Sequence, residues 1–263
     1  MKSRPYCYLF RIQYLGLRYH GWQVQKGVKT IQGVLERAIR FTLGNSDFAV
    51  LGASRTDSGV SSLDGAFALY TKEPLDINEF IPKANKSLPS DVKLLNATTS
   101  PENFNIIQDV EKKRYGYYFT FGEKPHPFYM GYLAYAGLHL EMDSLKEAAR
   151  SFEGRHDFRR FCTQGKNITD FVREISTFQV LKEYPKWCPN ADFPVYVLRV
   201  EGPGFLMHQI RRMAYALWMV GWGELKVNDI ATALGDLEKH PLSPKAPAQG
   251  LVLENLTFKG NLF

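Results

Sequence analysis

Between the apolar runs "FAVLGA" and "AFALY" the chain reads "ASRTDSGVSS", with Ser54, Arg55, Thr56, Asp57 and Ser58 as five consecutive polar residues. A carboxylate flanked by a guanidinium and hydroxyls can serve as a general base or a nucleophile. The same letters, "TDSG", also signal a tight turn, because Asp and Ser bond local backbone and Gly59 supplies a permissive conformation. Taken alone, the stretch reads as a turn. Two further features shift the balance. Arg211 lies in a helical pattern whose same-face neighbours are Met207, Ala214, Tyr215 and Trp218. An unpaired guanidinium in such a partly dry setting costs roughly 3–5 kcal/mol, so it calls for an anionic partner, structural or functional. Arg212 shares the next face with Ala216 and Met219, which leaves one of the pair available to solvent or phosphate. In "KKRYGYY", Lys112, Lys113 and Arg114 precede Tyr115 and Tyr117 on one strand face. An aromatic ring beside three cations suits stacking of an unpaired base. Packing in a core is an equal reading for Tyr115 and the favoured one for Tyr117.

Other chemistries lack support. There is no G-x-x-x-x-G-K-[ST] and no G-x-G-x-x-G opening a helix, so nucleotide-cofactor loops are not indicated. No serine sits in a G-x-S-x-G elbow. The six histidines are scattered, and His139, Glu141 and Asp143 in "HLEMD" form a metal set only if Asp143 does not cap a helix, which is its better use. Three widely spaced cysteines form neither a disulfide framework nor a zinc cluster and fit a reducing compartment.

The elements that must position these residues are marked by local signals. "YCYLFRIQY" alternates as a strand, and a Gly-containing loop, "LGLRYHGWQVQKGVK", follows. Thr30 caps a helix with Ile31, Val34, Leu35, Ala38, Ile39 and Leu43 inward, closed by Gly44. "FAVLGA" and "GAFALYT" read as strands around the Asp57 stretch, "DINEFIPKANKSL" as a helix containing Pro82, and "DVKLLNA" as a strand. The polar "TTSPENFN" is the expected seam between a half at 1–102, carrying the Asp57 loop, and a half at 103–263, carrying the Tyr115 strand and the Arg211 helix. In the second half "KKRYGYYFTF" is a strand, Asp143 caps a helix stopping at Gly154, and "FVREISTFQVL" and "FPVYVLRVEG" are strands. Two helices, at "HQIRRMAYALWMVG" and near Asn228, precede the closing strand "GLVLENLTF". Several connections are too short for parallel crossovers, so the expected fold is α/β (α+β), with a largely antiparallel mixed sheet and helices on one face.

A net charge of +6 tilts the partner toward nucleic acid or phosphate. Basic residues interleaved with aromatics, as in "EKKRYGYYFTF" and "RHDFRRF", suit unstacked bases. Arg11 interrupts the only early apolar run and no window approaches eighteen uncharged apolar residues. Neither a secretory signal nor a membrane span is therefore expected, and the cytoplasm is the default compartment.

Six blocks, in order, resemble the TruA-type tRNA pseudouridine synthases over nearly the whole chain. They are "YLGLRYHGWQVQ…TIQGVLERAI", "SRTDSGV", "KANKSLPSDVKL", "KKRYGYYF", "FLMHQIRRM" with "VGWGEL", and "APAQGLVLENLTF". The resemblance implies that Asp57 is the catalytic aspartate and Arg55 the basic residue beside it. It implies further that Tyr115 stacks on the target base and Arg211 pairs with the catalytic carboxylate. It also implies two similar halves around one extended antiparallel sheet, a basic cleft between them, a homodimer, no metal or organic cofactor, and a uridine in the tRNA anticodon stem-loop as target. The rival reading is an RNA-binding homologue that kept the fold and lost efficient catalysis. Two places depart from the family pattern. Ser61–Ser62 stand where it has His-Ala, and "FNIIQ" (Phe104–Gln108) stands where it has "FHARF", whose histidine and arginine would face the RNA.

Overall fold

The alternation of "YCYLFRIQY" is realised in β1 (Tyr6–Tyr14), and the signals at Thr30 and Gly44 bound α1 (Ile31–Leu43). The Thr30 hydroxyl accepts from the Gly33 N–H at 3.2 Å, and Gly44 ends the helix in the left-handed conformation at φ 69°. β2 (Phe48–Gly52) and β3 (Ser61–Thr71) flank the Asp57 loop. They are followed by α2 (Ile77–Ser87) and β4 (Val92–Thr99). Next come β5 (Val110–Thr120), β6 (Ala134–Tyr135), α3 (Met142–Ala149), β7 (Gly154–Asp157), β8 (Val172–Ile175) and β9 (Thr177–Lys182). The chain continues through β10 (Tyr196–Gly202), α4 (Gln209–Gly221) and α5 (Val227–Gly235) to β11 (Leu251–Phe258). This computed structural model describes residues 4–165, 168–189, 191–238, 240–260 and 262–263.

The chain forms two units, one of residues up to Glu111 together with Leu253–Phe263, the other of Lys112–Val252. In the first, the strand order is β4-β1-β3-β11, with β2 also on β3, and the β1–β3, β1–β4 and β2–β3 pairs are antiparallel. Alternate residues of β1 (Tyr8, Phe10, Ile12, Tyr14) meet Ile31, Leu35 and Ile39 of α1 and Phe80 and Ala84 of α2 in one core. Phe10 and Phe67 stack at 5.1 Å between ring centroids. Each such buried side chain contributes roughly 1.5–3 kcal/mol, so both helices are fixed over one face of this sheet.

In the second unit β10 lies between β5 and β9, antiparallel to both, and the short β6 runs parallel to β5. Trp218 of α4 packs on Tyr117 and Phe119 of β5 at 5.7 and 5.8 Å, which seats α4 over that strand. The strands are thus mainly antiparallel, as the short connections imply. Among the described residues no helix is long and apolar enough to cross a membrane.

Two local expectations are corrected. The cap of α3 is Glu141, whose carboxylate accepts from the Asp143 N–H at 3.3 Å, and Asp143 sits inside the first turn. The alternating acids of "HLEMD" offer a cap at either position, and the helix starts two residues earlier than the Asp143 signal indicates. "FVREISTFQVL" is two strands broken at Ser176, because its halves have different partners. β8 pairs with β7 and β9 with β10, while the Ser176 N–H and hydroxyl both donate to the Glu201 carbonyl.

Candidate active site

The Asp57 loop leaves β2 at Gly52 and re-enters the sheet at Ser61. Its tip is a turn in which the Val60 N–H donates to the Asp57 carbonyl at 3.2 Å, with Gly59 at φ 79°. A positive φ at that position suits glycine, so the turn reading of "TDSG" holds. Its shape is imposed by the segment after β1. The Trp22 N–H donates to the Thr56 carbonyl at 3.1 Å, and the Gly59 N–H donates to the Tyr19 carbonyl at 3.1 Å. The Ser58 hydroxyl donates to the same Tyr19 carbonyl at 3.3 Å. A Cβ on Gly16 would lie 2.0 Å from the Val60 carbonyl oxygen, and one on Gly21 (φ 85°) would lie 2.8 Å from that of Thr56. Only glycine permits these two backbone approaches.

Thr56 points inward, its hydroxyl 2.8 Å from that of the buried Tyr14. Its neighbours are the expected site residues: Arg55 is exposed and Asp57 is half-buried. The clasping segment is itself anchored to Asp91. That carboxylate accepts from the Tyr19 hydroxyl at 2.6 Å and from the Arg18 guanidinium at 2.6 Å. Burial alone would raise the Asp91 carboxyl, but the Tyr19 and Arg18 hydrogen bonds outweigh it and leave the group below its ordinary value. Tyr19 is pushed up, first by burial and then by its bond to Asp91.

The other expected residues belong to the second unit. Tyr115 lies on β5 opposite Val200 of β10, largely buried, with its ring edge-on to Phe205 at 5.5 Å. Tyr117 is fully buried and donates to the Pro247 carbonyl at 2.9 Å. Burial raises it well above its ordinary value, with the Arg211 charge working the other way. Arg211 is the third residue of α4. Its Nε donates to the Ala246 carbonyl at 2.7 Å, and its own carbonyl accepts from the Ala246 N–H at 3.0 Å. The half-buried Arg212 guanidinium donates to the Ser243 carbonyl and to the Thr163 hydroxyl.

Arg55 and Asp57 are therefore on one loop, and Tyr115 and Arg211 within one unit. The three cations before Tyr115 are not all available to a phosphate. Lys112 and Arg114 both bond Glu201, at 2.8 and 2.5 Å. Burial of Glu201 would raise its carboxyl, yet these two cations hold it below the ordinary range. The departures from the family pattern also acquire a structural setting. Ser61 and Ser62 are buried; the Ser61 hydroxyl accepts from the Gly16 N–H at 2.9 Å, and the Ser62 hydroxyl donates to the Leu253 carbonyl at 3.3 Å. The Asn105 side chain accepts from the N–H groups of Ile107 and Gln108, and Ile106 is buried, which leaves Ile107 and Gln108 outward. The segment "LGLRYHGWQVQKGVK", a plain loop by its sequence, supplies Gly16, Tyr19, Gly21 and Trp22, the residues that shape the Asp57 turn. Two glycines within six residues, beside aromatics, were the available signal.

A family model described as "tRNA pseudouridine synthase" matches residues 148–259. The "tRNA pseudouridine synthase A" of Ruminiclostridium cellulolyticum is 31% identical over 247 residues, covering 94% of this chain and 97% of the relative. The "tRNA pseudouridine synthase A 2" of Bacillus cereus is 32% identical over 252 residues, covering 95% of this chain and 99% of the relative.

Proposed function

This chain belongs to the TruA-type family of tRNA pseudouridine synthases, and on that premise we propose that Asp57 is the carboxylate with which it isomerises uridine. In the reaction the N1–C1′ bond breaks, the base turns, and a C5–C1′ bond forms. C5 gives up its proton and N1 gains one. Nothing is oxidised or transferred to a second molecule, so the chemistry asks for a positioned, ionised carboxylate at the ribose. That group acts by attacking C1′ or by taking the C2′ proton. Arg55, Tyr115 and Arg211 bind the substrate: an aromatic face for the extracted base, worth about 1–3 kcal/mol per stacked base, and cations for the negative charge of the site.

The observation that carries the Asp57 assignment is its place in the molecule. It is a half-buried carboxylate at the tip of a turn locked by backbone bonds from Tyr19 and Trp22. Such a mounting fixes the backbone that carries the carboxylate. The target is a uridine of the anticodon stem-loop, and the enzyme works as a cytoplasmic homodimer. Release of tritium from tRNA transcripts carrying [5-³H]uridine tests the central claim. Asp57→Asn keeps the shape and removes the charge, and it is expected to slow release by about 10³-fold or more while tRNA binding persists. Equal release by variant and wild type would overturn the assignment.

A further inference from the structure

Among the described residues two non-glycines have positive φ, Asn103 and His208. Asparagine adopts this conformation readily in turns, whereas His208 occupies the residue immediately before α4, at φ 62° and ψ 10°. Residues in that position are normally extended and cap the helix with a side-chain oxygen, and His208 makes no such cap. A left-handed residue persists only where its surroundings over-determine it. Here they do. The His208 Nδ1 is 2.8 Å from the Thr163 hydroxyl, and the Thr163 N–H donates to the Met207 carbonyl at 2.9 Å. The Leu206 N–H donates to the Gln209 side chain at 2.8 Å, while the Gln209 N–H donates back to the Leu206 carbonyl at 3.1 Å. The direction in which α4 sets out is therefore dictated by one backbone conformation and one side-chain staple. Arg211 lies in the turn that results.

The same anchor reaches the adjoining arginine and the segment that clasps Arg211. The Thr163 hydroxyl accepts from Arg212 at 3.5 Å. Ser243 bonds Arg212 through its hydroxyl and its carbonyl, and three residues on, Ala246 holds Arg211 by its N–H and its carbonyl. We infer that Thr163 and His208 are positioning residues for the reaction. By stapling the left-handed start of α4 they set the direction of the Arg211 guanidinium. This rests on the assignment of Arg211 to the site.

Thr163→Val removes the hydroxyl at nearly constant volume and keeps the Thr163 N–H bond to the Met207 carbonyl, so only the hydroxyl's bonds, to His208 and Arg212, are lost. Single-turnover isomerisation at saturating full-length enzyme is expected to slow about tenfold, as a small misplacement of a functional group does, with tRNA affinity within about twofold of wild type. Thr163→Ser, which restores the hydroxyl, is expected to recover most of the rate. In an Arg211→Ala background the Thr163→Val change is expected to add no further loss, because it acts through the missing side chain. A lowered melting temperature with an unchanged single-turnover rate would overturn the inference in favour of a structural role. A full tenfold loss on top of Arg211→Ala would overturn it in favour of an independent one. Wild-type turnover by Arg211→Ala itself would remove the Arg211 assignment and this inference together. Loss there with wild-type turnover by Thr163→Val would remove this inference alone.

Discussion

The Asp57 loop and the Arg211 turn are fixed by different means. Around Asp57 the turn is held chiefly by backbone-to-backbone bonds, from Trp22 to Thr56 and from Gly59 to Tyr19, with hydroxyl bonds at Ser58 and Thr56 beside them, and two glycines let the chains approach. Around Arg211 side chains do the fixing: Thr163 on His208, Ser243 on Arg212, Arg211 on Ala246. A backbone-built mount tolerates most side-chain changes and fails when a Cβ intrudes. A side-chain-built mount fails by degrees, one hydroxyl at a time. The two mounts therefore have opposite vulnerabilities.

The strongest break in that contrast is Gly16→Ala. The added methyl meets the Val60 carbonyl at a distance no packing accommodates, so the Asp57 turn must shift. Stability is expected to fall by about 3 kcal/mol in denaturant unfolding. Tritium release from uridine-labelled tRNA is expected to fall about 100-fold in the protein that remains folded. A wild-type rate would mean that the turn does not depend on this close approach.

A matched pair of hydroxyl deletions sharpens the comparison. Tyr14→Phe frees Thr56, and Tyr117→Phe frees the Pro247 carbonyl next to the residue that clasps Arg211. Each is expected to cost about 1 kcal/mol of stability. The rates should separate, with Tyr14→Phe near wild type and Tyr117→Phe several-fold slower. Equal rates would erase the distinction between the two mounts.

The smallest effect is expected at Asp91, which anchors the clasping segment from outside. Its carboxyl is held below the ordinary value of 3.8, so its contribution is complete above that pH and is lost as the pH falls through the depressed value. Asp91→Asn should lower the melting temperature slightly at neutral pH, and the gap to wild type should close below about pH 3.8. A gap of constant size down to lower pH would show that charge on Asp91 is not what anchors the segment.

What was legible in the sequence follows the range of the interactions. Thr30 and Gly44 bound α1 because capping is decided within four residues, and β1 was legible because its alternation meets a core on one side. Asp57 stood out as a polar cluster between apolar runs, and its turn geometry followed from Gly59. The break at Ser176 was hidden, since it depends on Glu201, twenty-five residues away. The burial of Ser61 and Ser62 was hidden for the same reason, their partners being Gly16 and Leu253. The clasp on the Asp57 turn leaves only two glycines as a trace, and the left-handed His208 leaves none, because nothing local to "FLMHQIRRM" demands it.

The last strand has a consequence for how the protein is made. β11 lies beside β3 in the first unit, where the Leu256 carbonyl accepts from buried Arg11 at 2.8 Å and Asn255 donates to Asp64 at 2.7 Å. The unit that carries Asp57 is therefore assembled from two segments separated by the whole second unit. On the ribosome its sheet stays one strand short, and buried Arg11 lacks the Leu256 carbonyl, until β11 has been made. Translation must pass through the whole second unit before the first-made half can close.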